Sequence, residues 1–261
     1  LGANNVLLEE GWEYGDKKNV VQRLFTDYYQ WGGFPELLAY RNKRHWLNGL
    51  YEKIVLGDVI RRNNVKNEHA LRLAVKRLAE NVMQPTAYNR LANMVKSAGM
   101  STSTSTIIDY VRYVKEACLM FSLDNYASKF ADRETAKKHY FIDNGLLNIF
   151  LTESNSPLLE NLCAIALYRK YNRDTYTPKL FYYNRNIEVD FFIPDEAMAI
   201  QASCSLTGGE TFKREVSALI ALHRFYPLKK AVIVTYDEEN TIEEDGLTID
   251  VLPVWKWLLA E

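Results

Sequence analysis

Five polar residues in the second half of the chain have types and spacings suited to hydrolytic chemistry. Glu188 and Asp190 lie two residues apart in a strand-like run, so both carboxylates point to one face of that strand. Gln201 and Ser203 share a face of the next strand, and Glu160 lies one turn into the preceding helix. Clustered carboxylates bind Mg²⁺, which can activate a water molecule for attack. Glu160 and Asp190 are therefore the candidate metal ligands.

The elements that must position these residues form a mixed sheet flanked by helices. Ser156-Pro157 caps a first helix, because proline suits the first turn of a helix. Two further helices are predicted over residues 212–222 and 255–259. Strands are predicted over residues 180–183, 187–193, 197–203, 231–236 and 247–252. The order is helix, three strands, helix, two strands, helix.

Together, these positions resemble the PD-(D/E)XK, or restriction-endonuclease-like, superfamily. Glu160 matches its helical acid, Asp190 its strand aspartate, Gln201 its second acid and Ser203 its lysine. The last two positions are departures, since one loses a charge and the other a cation. The resemblance therefore implies an inactive nuclease-like domain, in which we expect Gln201 and Ser203 to hydrogen-bond to the acids.

An active nuclease with a rearranged site is the alternative. Lys213, in the helix after Ser203, could supply a relocated lysine. A solvated surface lysine is the other interpretation, because lysine side chains are mostly exposed.

The first half of the chain is basic and the second half acidic. Residues 1–150 contain 21 basic and 16 acidic residues, whereas residues 151–261 contain 11 and 17. Residues 41–115 alone contain 14 basic and 5 acidic residues, a net charge of +9. A basic region of this kind suits a polyanion such as DNA, although basic residues on helices can also be merely solvated.

The basic region has the element order of a winged helix. Apolar residues at helical spacing predict three helices over residues 71–82, 85–98 and 104–118, followed by strands at 119–123 and 140–143. The third helix of such a domain enters the major groove, and the loop between the strands contacts phosphate. The predicted DNA-binding residues are Arg90, Thr104, Arg112, Lys115, Lys129, Arg133, Lys137 and Lys138.

Several short motifs extend the resemblance to nearly the whole chain. They are Tyr-Gln-Trp-Gly-Gly-Phe-Pro-Glu at 29–36, Ile-Val-Leu-Gly-Asp-Val-Ile-Arg at 54–61, Tyr-Phe-Ile-Asp-Asn-Gly-Leu-Leu at 140–147, Leu-Glu-Asn at 159–161 and Glu-Val-Asp-Phe at 188–191. As a set they resemble the C-terminal part of a prokaryotic family of AAA-type ATPases. Gly32-Gly33 and Asp143-Asn144-Gly145 also suit plain turns, which we favour over ligand binding.

The family resemblance implies an ATPase core before Leu1, with its own ATP and Mg²⁺. This chain has no GxxxxGK[ST] phosphate loop, and no cofactor is predicted for it. The implied domains are residues 1–66, the helical end of the ATPase module; 67–150, the winged helix; and 151–261, the degenerate nuclease-like domain. The fold class is α+β or α/β.

Composition excludes several protein classes. Hydrophobic residues make up 48% and charged residues 25%, which is typical of globular proteins. No apolar run is long enough for a membrane span. Cys118, Cys163 and Cys204 are interpreted as reduced core thiols of a cytoplasmic protein.

Three functions remain open. The first is a non-catalytic, DNA-binding tail of an ATPase, with duplex DNA and the ATPase core of the same chain as partners. The second is the divalent-metal nuclease. The third is a protein-interaction or self-assembly module, which includes a homo-oligomer.

Overall fold

The computed structural model describes residues 16–129, 133–153, 155–172 and 177–260. The chain begins with helical segments, as their apolar spacing predicts. These are α1 (Asp16–Trp31), a 3₁₀ helix (Pro35–Ala39), α2 (Lys43–Lys53) and a π-helix (Ile54–Arg61) that continues α2. The break between α1 and the 3₁₀ helix falls at Gly32-Gly33, where Gly32 has a φ of +82°.

Three helices and a small antiparallel sheet follow. The helices are α3 (Glu68–Glu80), α4 (Tyr88–Ser97) and α5 (Thr104–Glu116), and the strands are β1 (Thr86–Ala87), β2 (Met120–Leu123) and β3 (Ala136–Phe141). The sheet has the order β1-β3-β2. Asn67 and Ser103 cap α3 and α5, because each side chain accepts a backbone N–H of the first helical turn.

The small sheet corrects two sequence predictions. Residues 86–87 form strand β1 rather than the start of a helix, pairing with Ala136 and Lys137. Strand β3 begins at Ala136, so Lys137 and Lys138 lie within a strand rather than in a polar loop. Strand β3 is longer than the predicted strand because it pairs with β1 on one side and with β2 on the other. The polar residues in its first half did not indicate a strand. Residues 130–132 of the predicted loop lie outside the described residues.

The remaining chain forms a six-stranded mixed sheet between helices. Its helices are α6 (Asn144–Asn148), α7 (Asn155–Tyr171), α8 (Gly209–Phe225) and α9 (Val254–Ala260). Its strands are β4 (Phe181–Asn184), β5 (Glu188–Ile193), β6 (Met198–Ala202), β7 (Lys230–Thr235), β8 (Asn240–Glu244) and β9 (Leu247–Pro253), in the order β4-β5-β6-β7-β9-β8. Strand β7 is parallel to β6 and β9, and the other pairs are antiparallel.

The predicted α+β class, with helices followed by a mixed sheet, is confirmed. Strand β8 was not predicted, because four of its five residues are charged or polar and exposed at the sheet edge. Alternation of apolar and polar residues is the signal for a half-buried strand, and an exposed edge strand lacks it.

Two groups of buried side chains line the six-stranded sheet. The larger one runs continuously from α1 through the three-helix region to α7, α9 and one face of the sheet. The smaller one lies on the opposite face, under α8. The predicted boundary near residue 150 therefore separates elements that share one core.

Two remaining sequence predictions concern the cysteines and a membrane span. Cys163 is buried and Cys204 half-buried, but Cys118 is exposed just after α5, with a φ of +52°, so the core prediction is wrong for Cys118. All three thiols are free. No helix within the described ranges is long and apolar enough to cross a membrane.

Candidate functional site

Strands β5 and β6 separate where the candidate residues lie. Their backbone pairing runs from Ile193↔Met198 to Phe191↔Ile200 and ends there. Beyond that point side chains replace the ladder: Gln201 Oε1 accepts the N–H of Asp190 at 2.8 Å, and Gln201 Nε2 donates to the Glu188 carbonyl at 3.1 Å. The Ala202 N–H donates to Asp190 Oδ2 at 3.0 Å. These bonds position the Asp190 carboxylate between the two strands.

A lysine from the small sheet enters this gap. The Lys138 ammonium lies 2.9 Å from Asp190 Oδ1, 3.1 Å from Glu160 Oε1 and 3.1 Å from Glu188 Oε1. Its side chain is 0% exposed. Tyr140 shares a face of β3 with Lys138, and its hydroxyl donates to Glu160 Oε1 at 2.7 Å. We call Lys138, Glu160, Glu188 and Asp190 the lysine–carboxylate cluster.

Burial and charge compete within the lysine–carboxylate cluster. Burial raises the pKa of Glu160 to about 8, and the nearby Asp190 carboxylate adds to this effect. Burial by itself would lower the pKa of Lys138, but the carboxylates of Asp190 and Glu160 outweigh it and hold that pKa well above its ordinary value. Lys138 is therefore charged at neutral pH, whereas Glu160 retains a proton through most of the neutral range.

The structure brings three of the five nuclease-type positions together. Glu160, Glu188 and Asp190 meet around one ammonium group. The expected hydrogen bonds from Gln201 and Ser203 to the carboxylates are wrong. Gln201 binds the backbone of β5 instead, and the Ser203 hydroxyl donates to the Ser205 carbonyl at 3.2 Å.

Lys138 is the member of the cluster that sequence reasoning did not find. The lysine considered there, Lys213, is an exposed residue of α8. Lys138 comes from a different sheet and precedes Glu160 by 22 residues. No local pattern in the sequence relates β3 to β5, so only the packing of the two sheets could identify this lysine.

The cluster with Lys138 in place does not fit a metal ion. Among the residues that the structure describes, no group of three or more His, Cys, Asp or Glu side chains is arranged to hold one. The three carboxylates are the oxygen ligands that Mg²⁺ prefers. Each of them, however, directs an oxygen at the ammonium of Lys138 rather than at a free position.

An open cleft of about 730 Å³ borders the cluster. Its wall includes Glu188 and Asp190, together with Arg214 and Glu215 of α8, which pair with each other at 2.5 Å. The Glu188 side chain is 40% exposed and the Asp190 side chain 14%. The carboxylates thus face the cleft on one side and Lys138 on the other.

The eight predicted DNA-binding residues differ in their surroundings. Arg90, Thr104, Lys115 and Lys129 are exposed. Arg112 is exposed as well, but it is paired within α5 to Asp109 at 3.0 Å and to Glu116 at 3.2 Å. Arg133 lies over the rings of Tyr126 and Phe181 and donates to two carbonyls, those of Ser128 and Tyr126.

The predicted placement of Lys137 and Lys138 in an exposed wing is wrong. Lys138 belongs to the buried cluster, and Lys137 is 8% exposed, with its ammonium 3.0 Å from Asp124 and 3.2 Å from Glu134. Both side chains leave β3 within the interior, because the strand is covered on both of its faces.

Other cations of the basic region are exposed and form no ion pair within the described residues. They include Arg61, Arg62, Lys66, Lys76 and Lys96. The first three lie at or after the end of the π-helix, which packs against α5. Lys66 precedes Asn67, whose side chain donates to the Ser101 carbonyl, just before α5, at 3.3 Å. We call Arg61, Arg62, Lys66 and Thr104 the α5 basic face. The net charge of residues 41–115 signalled its existence but not its position.

Comparison with known proteins matches the helical region and the small sheet to one family. The family described as a domain of unknown function, DUF8612, matches residues 22–156, just over half of the chain. The chain belongs to the DUF8612 family. It is also 27% identical, over 256 residues, to the uncharacterized protein MJ1544 of Methanocaldococcus jannaschii, and 28% identical, over 252 residues, to an uncharacterized protein of Haemophilus influenzae.

Both relatives are longer than this chain. The matches cover 94% and 93% of this chain, but only 57% and 60% of the two relatives. The DUF8612 match includes Lys138 and the α5 basic face and ends before Glu160. The lysine–carboxylate cluster thus joins the DUF8612 region to the sheet that follows it.

Three of the short motifs, at 29–36, 140–147 and 159–161, meet in one buried polar network. The Asp143 carboxylate accepts the N–H groups of Gly33 at 2.7 Å and Gly145 at 2.8 Å. The Asn144 amide donates to the carbonyls of Tyr29 and Leu158, and the Asn161 amide donates to Asn144. These bonds join α1 to α6 and α7.

Two glycines are required by this network. A Cβ at Gly32 would lie 1.9 Å from Asp143 Oδ1, and a Cβ at Gly145 would lie 2.1 Å from the Trp31 carbonyl oxygen. Because the polar atoms of Asp143 and Asn144 bond within the protein, the network has a structural role. Asp143 caps α6, which agrees with the turn that the sequence favoured over a ligand site.

Proposed function

We propose that this chain is the non-catalytic C-terminal region of an AAA-type ATPase. In this proposal residues 67–150 are a winged helix that binds duplex DNA, and residues 151–261 are an inactive PD-(D/E)XK-type domain. ATP hydrolysis belongs to a core outside this chain, and DNA binding by this chain would regulate that core.

Topology supports the winged-helix part of the proposal. The order α3-β1-α4-α5-β2-β3, with β3 between β1 and β2, is that of a winged helix. Its third helix, α5, is the element that enters the major groove in the helix-turn-helix class. Since winged helices also serve protein contacts, topology alone does not assign DNA binding.

The α5 basic face is the observation that carries the proposal. Its cations are exposed and have no ion-pair partner among the residues that the structure describes. They lie near α5, which begins at Thr104. The N-terminal residues of a recognition helix are the ones that reach base edges, and flanking cations contact phosphates. Cations already paired to carboxylates, such as Arg112, would have to break those pairs first.

The geometry of the six-stranded sheet supports an inactive nuclease. Its order of α7, β4 to β6, α8 and β7 agrees with the nuclease-like interpretation. Gln201 is held by backbone groups, Ser203 contacts Ser205, and the only lysine in the cluster is fully buried. An ammonium with no exposed surface cannot contact a substrate phosphate or an attacking water molecule.

DNA binding can be measured by fluorescence anisotropy with a labelled duplex. We expect weak binding without strong sequence preference and a steep fall in affinity with salt, since phosphate contacts release counterions. The double substitution Arg61→Glu and Lys66→Glu should weaken binding to every sequence. It should also flatten the slope of log K against log salt by about 0.9 for each lost phosphate contact.

A matched control changes the net charge by the same amount as the Arg61/Lys66 double substitution, but at positions far from α5 in the sequence. Lys179→Glu with Lys229→Glu reverses two exposed cations outside the three-helix region. If this control weakens binding as much as the Arg61/Lys66 pair, the contact is non-specific attraction and the α5 basic face is not the interface. No binding at low salt would contradict the proposal and favour a protein-interaction module.

A divalent-metal nuclease is the second candidate, and one observation favours it. A lysine does enter the group of Glu160, Glu188 and Asp190, as a relocated catalytic lysine would. We place this candidate second because the ammonium of Lys138 is enclosed on the side of the cluster away from the cleft.

A further inference from the structure

We propose that Ile108 of α5 recognises thymine through contact with the C5-methyl group of that base in the major groove. The inference rests on the proposed DNA binding and names a base preference for the same surface. It adds a specific prediction: removal of the thymine methyl groups alone should weaken binding by the wild type.

Ile108 is a large aliphatic side chain that the fold leaves uncovered. It is 45% exposed, whereas the other large aliphatic residues of α5, which are Ile107, Val111 and Val114, are buried. Thr104 lies four residues before Ile108, so the two side chains share one face of the helix. Ile108 therefore lies one turn beyond the start of α5, in the N-terminal half of the proposed recognition helix.

Unpaired cations on two neighbouring elements favour DNA as the occupant of this face. Helix α5 packs against both the π-helix and α4. Arg61 ends the π-helix, and Lys96 lies in the last turn of α4. Both are exposed and form no ion pair within the described ranges. Phosphates bound at these cations would place the N-terminal half of α5 at the major groove.

The chemistry of the groove selects thymine as the base. In the major groove each base presents hydrogen-bonding groups, and thymine adds a C5-methyl group. The Ile108 side chain has no donor or acceptor, so against another base it would cover polar groups without replacing their bonds to water. Against thymine it buries one methyl group, which corresponds to a gain in affinity of about fourfold. One contact of this size agrees with binding that has no strong sequence preference.

The charged neighbours of Ile108 on α5 are already paired with one another. Asp109 and Glu116 contact Arg112, at 3.0 and 3.2 Å. A free arginine would suit guanine and a free aspartate would suit cytosine, but here each must first leave its ion pair. This pairing disfavours recognition of G·C pairs, whereas the contact of Ile108 with a methyl group breaks no existing bond.

The test is fluorescence anisotropy with two labelled duplexes that differ only in the methyl group. One is an alternating A·T duplex, and the other has deoxyuridine in place of every thymidine, which keeps the base pairing and the phosphates. We expect wild type to bind the thymine duplex about fourfold more tightly, and Ile108→Ala to bind both duplexes with equal affinity. Leu259→Ala is the matched control and should keep the wild-type ratio, because Leu259 is an aliphatic residue of α9 with a similar exposure of 43%.

A second pair of duplexes separates the methyl group from the groove shape of A·T sequences. It consists of an alternating G·C duplex and the same duplex with every cytosine methylated at C5. The added methyl group lies in the major groove, so wild type should bind the methylated duplex more tightly. Ile108→Ala should not distinguish the two.

Two results would overturn the inference. One is wild type that binds the thymine and uracil duplexes equally, and the other is Ile108→Ala that keeps the wild-type ratio. Because Ile108 is exposed, the variant should remain folded, which an unchanged urea midpoint would verify.

The same titrations separate this inference from the proposed function. If wild type binds no duplex at low salt, the DNA-binding function is wrong and the thymine contact falls with it. If wild type binds every duplex with the same affinity, DNA binding stands and only the thymine contact is wrong.

Discussion

The lysine–carboxylate cluster and the α5 basic face both contain cations of the basic region, but their cations have opposite surroundings. Lys138 is fully buried and contacts three carboxylates. Arg61 and Lys66 are exposed, and neither has a carboxylate partner within the described chain. A cation can bind a polyanion only if its charge is accessible and not already neutralised, so net charge alone overstates the DNA-binding surface.

The physical basis of this difference is desolvation. A charge taken out of water must regain its lost hydration from hydrogen bonds and opposite charges, as Lys138 does. An exposed cation keeps its hydration and acts through longer-range attraction, which salt screens. Substitutions in the two regions should therefore differ in both the size and the kind of their effects.

The largest effect is expected for Lys138→Met. The substitution preserves an apolar chain but leaves buried carboxylates without a cation, which should lower the free energy of unfolding by about 3–5 kcal/mol. Urea denaturation without divalent metal measures the loss. Lys137→Met should cost less, because its partners Asp124 and Glu134 can regain water. If the two variants lost the same free energy of unfolding, the buried position of Lys138 would not matter more for stability than the position of Lys137.

The titration of Glu160 is expected to have a smaller effect per pH unit. Its folded pKa of about 8 exceeds its ordinary value of 4.5, so the folded state binds this proton more tightly than the unfolded state does. Stability from this source is complete below pH 4.5 and is lost as the pH rises through 8. The free energy of unfolding should fall by about 1 kcal/mol per pH unit within that window.

Glu160→Gln should remove this slope. The measurement is clearest above about pH 7.5, where unfolded histidine is mostly neutral. Below that value His139 acts in the opposite direction, because burial lowers its pKa to about 3 and stability falls as the pH decreases. Asp190, Glu188, Lys138, Tyr140 and Cys163 face Glu160 and remain in the variant. An unchanged slope in Glu160→Gln would assign the titration to another group.

The smallest effect is expected for Arg112→Ala on α5. Its two ion pairs are exposed, and exposed pairs contribute little because water and salt screen them. The urea midpoint should stay unchanged within error, and DNA affinity should change less than in the Arg61/Lys66 double variant. If Arg112→Ala lost more affinity than that variant, the DNA interface would lie at the middle of α5 and not at the α5 basic face.

Most helices and strands follow from local patterns. Apolar residues at helical spacing located α3, α4 and α5, and short runs of largely apolar residues located β5, β6 and β7. The missed strand segments were β1, β8 and the first half of β3, which are short, exposed or polar. Their strand conformation depends on backbone pairing with distant residues, which a local pattern does not contain.

The candidate site could be predicted only in part. Glu188 and Asp190 share a strand face because side chains alternate, a property of a single strand. The separation of β5 from β6, and the use of Gln201 to bridge the gap, depend on the contacts between strands. Hydrogen bonds from Gln201 to the carboxylates were therefore a reasonable expectation that the backbone geometry excluded.

The sequence by itself determined the order of the elements, the charge asymmetry and the residue types available for chemistry, because each depends on neighbours along the chain. Tertiary structure decided that Lys138 contacts Glu160, Glu188 and Asp190 in the interior, whereas Arg61 and Lys66 remain exposed. The reason is that desolvation and charge pairing depend on distances between elements remote in sequence. For Lys138 those distances are set by the packing of β3 against α7 and β5.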